Sequence, residues 1–137
     1  MNKVVARFAD GRIVKGTTAD FVPTRPTCHV HLADAPAGAP PYRIHLHELK
    51  ALFFVKSFTG DAQHVERAEF DPAQSPAGRR LAVHFKDGEV LLGTTTGYEK
   101  SRPGFFLVPA DADSNLERCW VAAAAIRKIV FMEKAAC

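Results

Sequence analysis

The sequence has no stretch of about 18 apolar residues, the length a membrane-spanning helix needs. Cysteine is scarce: Cys28, Cys119 and Cys137 are odd in number and far apart. A disulfide framework uses an even set and a zinc knuckle uses close pairs, so neither is indicated. Basic runs are missing too. The net charge is only +3, and the adjacent basic pairs are Arg79-Arg80 and Arg127-Lys128. Proteins that bind nucleic acid mainly through phosphates carry a stronger footprint than this. No Walker loop, nucleophile elbow, His-Glu-x-x-His or Cys-x-x-Cys segment occurs, and no paired catalytic groups stand out. We therefore expect no enzymatic activity and no cofactor. The first eleven residues lack the apolar run of a signal peptide, which leads us to expect a cytoplasmic, reduced setting.

What the sequence does have is a repeat. Shifting the 137-residue chain by 77 positions puts Phe8-Ala9-Asp10-Gly11 on Phe85-Lys86-Asp87-Gly88, and Gly16-Thr17-Thr18 on Gly93-Thr94-Thr95. Arg25-Pro26 falls on Arg102-Pro103, and Ala33-Asp34-Ala35 on Ala110-Asp111-Ala112. One ungapped offset serves from Val4 to Val55, with 12 identities in 52 pairs. A unit of this length buries only about 60% of its unfolded surface and is marginal alone, so the two copies should pack together or pair with another chain.

Each copy reads as five short strands. Val4, Ala6 and Phe8 alternate with Val5, Arg7 and Ala9, as Leu81, Val83 and Phe85 do with Ala82, His84 and Lys86. Asp-Gly then signals a hairpin. Second strands follow at Arg12–Phe21 and Glu89–Tyr98, interrupted at Gly16 and Gly93, where a bend or bulge is expected. Arg-Pro loops lead to third strands at Cys28–Leu32 and Phe105–Val108, and fourth strands fall at Tyr42–Leu46 and Cys119–Ala122. A one-turn helix, at His47–Lys50 and at Ala122–Ile126, precedes the last strands, Ala51–Lys56 and Lys128–Met132. The fold class expected is mostly β: two tandem small SH3-like or Sm-like five-stranded barrels. They would span residues 1–56 and 80–133, with a connector at 57–79 and a tail at 134–137. A helical turn at His64–Phe70 is expected in the connector.

Phe85-Lys86-Asp87-Gly88-Glu89-Val90-Leu91-Leu92-Gly93-Thr94-Thr95, Arg102-Pro103-Gly104-Phe105-Phe106-Leu107-Val108-Pro109-Ala110-Asp111, Ser114-Asn115 and Arg118 carry a resemblance. So does Leu49-Lys50-Ala51-Leu52-Phe53-Phe54-Val55-Lys56. The chain resembles an uncharacterised bacterial domain family whose members stand alone or beside PilZ-type or response-receiver domains. That resemblance implies a bacterial signalling context and supplies no ligand and no functional residues.

His29 and His31 alternate in one strand, and His45 and His47 in or after the next, so all four would face outward on neighbouring strands. A polar outer face is the plain reading; a shared metal or a pH-sensitive contact are the alternatives. The matching positions of the second copy, Phe106, Val108, Ala122 and Ala124, are apolar, which predicts a packing surface between copies or chains. Arg25 and Arg102 sit in loops that suit capture of phosphate or carboxylate, or are solvated turn residues. Asp111–Asn115 starts like a calcium loop, but Leu116 replaces the required Gly and Ala122 the bidentate Glu. Arg118 is a candidate for a structural hydrogen bond or a ligand contact. Arg79-Arg80 lacks the Arg-x-x-x-Arg spacing of a PilZ-type cyclic-dinucleotide site, which disfavours that ligand. Cys28 reads as a small core residue.

The function expected is a non-enzymatic binding or adaptor module in bacterial cytoplasmic signalling, with a protein partner or self-association, a homodimer included. Its contacts would come from Arg25, Arg102, Phe106 and Arg118. The alternative is a nucleic-acid or nucleotide-binding barrel. Clustering of Arg25, Arg43, Arg102 and Arg118 with Phe106 or Trp120 exposed for stacking would favour it, and burial of those aromatics would count against it.

Overall fold

The computed structural model describes residues 2–56, 79–98, 101–109 and 116–132. Within these residues ten strands run in chain order: β1 (Asn2–Phe8), β2 (Ile13–Thr18), β3 (Thr27–Leu32), β4 (Tyr42–His45), β5 (Leu49–Val55), β6 (Arg79–Phe85), β7 (Val90–Thr95), β8 (Gly104–Pro109), β9 (Leu116–Ala122) and β10 (Ile126–Met132). Short 3-10 turns at Leu46–Glu48 and Ala123–Ala125 precede β5 and β10. Adding 77 to either end of β1, β2, β3, β5 or the first 3-10 turn gives the ends of its counterpart. Only β4 differs, since β9 begins three residues early. The expected helical turn at His64–Phe70 and the loop Asp111–Asn115 lie outside the described residues.

Where the sequence suggested two tandem barrels, the strands hydrogen-bond into one antiparallel sheet that does not close, in the order β10-β6-β7-β8-β9-β5-β1-β2-β3-β4. The reason lies in β5. One of its edges pairs with β1, as within a single repeat; the other takes β9 of the second repeat, from Ala51↔Val121 to Val55↔Leu116. Leu49–Phe54 of β5 and Cys119–Ala122 of β9 are covered on both faces, which removes the alternation a half-exposed strand would show. From β5, Leu52 and Phe54 face one hydrophobic cluster while Phe53 packs against the other. From β9, Trp120 and Ala122 enter the first cluster, with Val4, Phe8, Val30 and Ile44. Cys119 and Val121 enter the second, with Leu81, Val83, Phe85 and Leu107. The two cores therefore lie on opposite faces of the β5–β9 pair, and each repeat completes its core with side chains of the other.

The recurring short motifs have local causes. Gly11 and Gly88 both hold φ near +96°, the left-handed region that favours glycine, at the end of the first hairpin turn of each repeat. A Cβ on Gly16 would land on the His31 carbonyl oxygen, and one on Gly93 on that of Val108, so these glycines let β2 and β7 cross close over β3 and β8. The Thr18 and Thr95 hydroxyls, buried beside these crossings, donate to the carbonyls of His29 and Phe106, each at 2.8 Å. This accounts for the repeated Gly-Thr-Thr: a close approach followed by a buried donor that needs an acceptor.

Candidate functional site

In each repeat the Arg-Pro loop is tied to the 3-10 turn. Leu46 N–H donates to the Pro26 carbonyl at 2.9 Å, and Ala123 N–H to that of Pro103 at 2.8 Å. Because the β5–β9 junction sets the repeats side by side, it brings the two loops to one place. Pro23, Thr24, Pro103 and Trp120 line two adjoining grooves of about 520 and 560 Å³. Arg25 and His47 border the first, Arg102 the second. Among the described residues neither lining contains a carboxylate.

Trp120 forms the wall common to both grooves. Its side chain is only 1% exposed, and its indole Nε1 has no hydrogen-bond partner among the described residues. An unpaired buried donor costs about 1–3 kcal/mol. Gly104 makes room for the ring: a Cβ there would collide with Cε2, the carbon bonded to Nε1.

The other sequence candidates occupy different places. Phe106 is half-buried at the junction, its ring centroid 6.0 Å from Phe21 and 6.2 Å from Phe54. Arg118 is exposed, with its guanidinium 4.5 Å from the Phe54 ring and 5.3 Å from that of Phe106. The apolar surface expected on the second copy divides: Phe106 and Ala122 pack into the first repeat's core, whereas Val108 and Ala124 are exposed.

The four histidines do not converge. In the β3–β4 register His29 faces Arg43, and His45 faces Thr27. The His45 and His47 rings lie 5.7 Å apart. Among the described residues no group of three or more His, Cys, Asp or Glu side chains could hold a metal ion. His29 instead meets Asp20, which accepts its backbone N–H at 2.9 Å and faces its ring Nδ1 at 2.7 Å. Desolvation raises the Asp20 pKa, but these bonds and the Thr18 hydroxyl outweigh it and hold the carboxyl below its ordinary value.

Sequence reasoning missed a second feature of the junction. Lys50, in β5, is 5% exposed at its side chain; its ammonium pairs with Asp87 at 2.6 Å and with Glu89, and lies 4.7 Å from the Phe85 ring. Arg7 reaches Glu89 at 3.1 Å. Lys50 holds the Asp87 pKa below its ordinary value, with help from the Glu89 backbone N–H. These ion pairs tie the first repeat to the β6–β7 hairpin. The available signal was a lysine standing inside the run Leu49–Val55, where a charge must find partners. For Asp20 no signal was available, because its counterpart is Gly97.

No helix is long and apolar enough to cross a membrane among the described residues. No curated protein and no solved structure matches the chain. A family of unknown function, DUF6982, matches residues 1–133, both repeats together, and the chain belongs to that family.

Proposed function

We propose that the chain is a non-enzymatic binding or adaptor module of bacterial cytoplasmic signalling, and that a protein partner seats in the twin grooves over Trp120. The observation that carries this reading is the convergence of two sequence-distant Arg-Pro loops on one apolar wall, with Arg25 and Arg102 at its borders and no carboxylate among the described lining residues. Apolar grooves with a few placed polar groups are the usual form of a recognition site, and guanidinium groups suit acidic ligands. The order β5-β1-β2-β3-β4, with a 3-10 turn before the last strand, supports reading each repeat as an SH3-like or Sm-like unit. The association with PilZ-type or receiver domains rests on the sequence resemblance alone.

The nucleic-acid reading is less well supported. Trp120 is buried, and Phe106 is packed between Phe21, Phe54 and Arg118, so neither offers an open face to a base.

The test is cross-linking in bacterial cells. A photoactivatable phenylalanine derivative is placed at Thr24, an exposed residue that lines both grooves. A discrete protein adduct that disappears with Arg25→Glu is the result expected. Adducts to RNA, or a protein adduct indifferent to Arg25→Glu, would contradict the proposal.

A further inference from the structure

β5 uses both of its edges, for β1 and for β9; its counterpart β10 pairs only with β6, and its other edge has no strand beside it among the described residues. Beside β5, the rings of Phe21 and Phe54 receive side chains of the second repeat. Trp120 lies 5.7 Å from Phe21, and Phe106 lies 6.2 Å from Phe54. The counterparts of Phe21 and Phe54 are Tyr98 and Phe131, 5.4 Å apart. Among the described residues they receive no ring from the other repeat; Tyr98 meets only Phe105 of its own, at 5.1 Å, besides Phe131. Instead they line an open groove of about 380 Å³ with Phe105, Arg102, Arg127 and Lys128. Among the described residues, the β10 edge and this groove are thus the unfilled equivalent of the surface on which β9 docks within the chain.

We propose that this surface takes an extended segment of an acidic protein partner, hydrogen-bonded antiparallel along β10, with an aromatic side chain set against Tyr98 and Phe131. Addition of a strand to an open sheet edge is a common mode of peptide recognition. The charge of the segment follows from the lining. Arg127 and Lys128 stand where the first repeat has Lys50 and Ala51, and Lys50 is met there by Asp87 and Glu89. Among the described residues the groove is lined by the basic Arg127 and Lys128 and by no carboxylate, and the Arg79 guanidinium lies 3.8 Å from the Phe131 ring. A second copy of this chain fits poorly. The strand it would offer is β4, the counterpart of β9, which carries Arg43 where β9 has Trp120 and His45 where β9 has Ala122. Arg43 would then approach Arg127 and Lys128 with like charge. The site is separate from the groove over Trp120, although Arg102 borders both.

The test uses the full chain, labelled with 15N, and a synthetic peptide of residues 115–123 carrying Arg118→Glu, Cys119→Ser and Ala122→Glu. This is the strand that β5 already accepts; in its register residue 118 falls opposite Phe131, beside Arg79, and residue 122 follows the partner of Lys128, so the two glutamates meet the basic lining. Saturable amide shifts at Tyr98 and across Lys128–Phe131 are expected, with slowed hydrogen exchange in β10. Binding should weaken roughly tenfold or more with the Arg127→Glu and Lys128→Glu double variant of the protein, or with Trp120→Ala in the peptide. Three results would overturn the proposal: shifts confined to β4 or to the groove over Trp120, no shifts at about millimolar peptide, or a dimer by light scattering whose β10 amides are already protected. None of these bears on the cross-link at Thr24, so the two proposals fail independently.

Discussion

Cys119 and Trp120 are neighbours in β9, and their side chains enter different hydrophobic cores. Cys119 is fully buried among Val83, Leu107 and Val121, while Trp120 crosses to the core built on Val4, Val30 and Ile44. A strand alternates its side chains by geometry. When both faces of that strand are covered, successive residues knit two units into one. The same pair of strands sets the Arg-Pro loops side by side, so the groove depends on the junction.

Trp120 both fills the first core and leaves its indole N–H unpaired. Trp120→Ala should cost about 3–5 kcal/mol in urea denaturation, as large-to-small core substitutions do. Trp120→Phe should cost clearly less, because it keeps an aromatic ring in the core, while both variants relieve the unpaired donor, whose burial costs about 1–3 kcal/mol. Equal losses for the two variants would contradict this, since the retained ring would then contribute nothing to the core.

The glycines separate into two kinds. Gly16→Ala and Gly93→Ala push a methyl group into the backbone of the neighbouring strand and should each destabilise by about 1–3 kcal/mol or more through overpacking. Gly11→Ala meets no atom within 4 Å, and its cost, about 1–2 kcal/mol, comes from the positive φ alone. The distinction is read by Gly→Asn. At position 11 asparagine should recover part of the loss, since it tolerates the left-handed region, whereas at 16 it should be worse than alanine.

The Lys50–Asp87 pair makes stability depend on pH in a defined direction. Asp87 has a folded pKa lowered from 3.8, chiefly by the hydrogen bond from Lys50. Its contribution is therefore fully present above the unfolded value and is lost as pH falls through the folded one. Carboxyl titration by NMR should place Asp87 below 3.8 in the native chain and return it toward 3.8 in Lys50→Met. An unmoved titration would mean that the Glu89 backbone N–H, rather than Lys50, sets the value.

Both described thiols should be inert. Burial pushes Cys28 up to about 11, and Cys119, fully enclosed, higher still. In a Cys137→Ser variant we expect no reaction with a thiol reagent at pH 8 until denaturant is added. Rapid labelling of the native protein would show that one of the cores opens.

The repeat was legible because its motifs carry backbone demands that survive divergence. Asp-Gly ends a turn, Gly16 and Gly93 permit a close crossing, and Thr18 and Thr95 cap a carbonyl beside it. The one-turn helix was placed within two residues for the same reason, a break in alternation between two strands. What escaped was the junction. Ala51–Val55 and Cys119–Ala122 are apolar on successive residues, the mark of a strand buried on both sides, but periodicity cannot say which strands will meet. Convergence of Arg25 with Arg102, and the meeting of Lys50 with Asp87, are consequences of that pairing and had to wait for it. The polar histidine face of the first repeat now has a plain position: it lies on β3 and β4, at the end of the sheet opposite β10.

The measurement that tests the fused architecture most directly is native-state hydrogen exchange on the wild type and on Trp120→Ala. If β5 and β9 join the repeats, the slowest amides of β1 and β5 should exchange with the same free energy as those of β6 and β9. Trp120→Ala, a substitution in the second repeat, should then lower the protection of β1 and β5 in the first. Separate exchange energies for the two repeats, with β1 and β5 unaffected by Trp120→Ala, would contradict the junction and the groove built upon it.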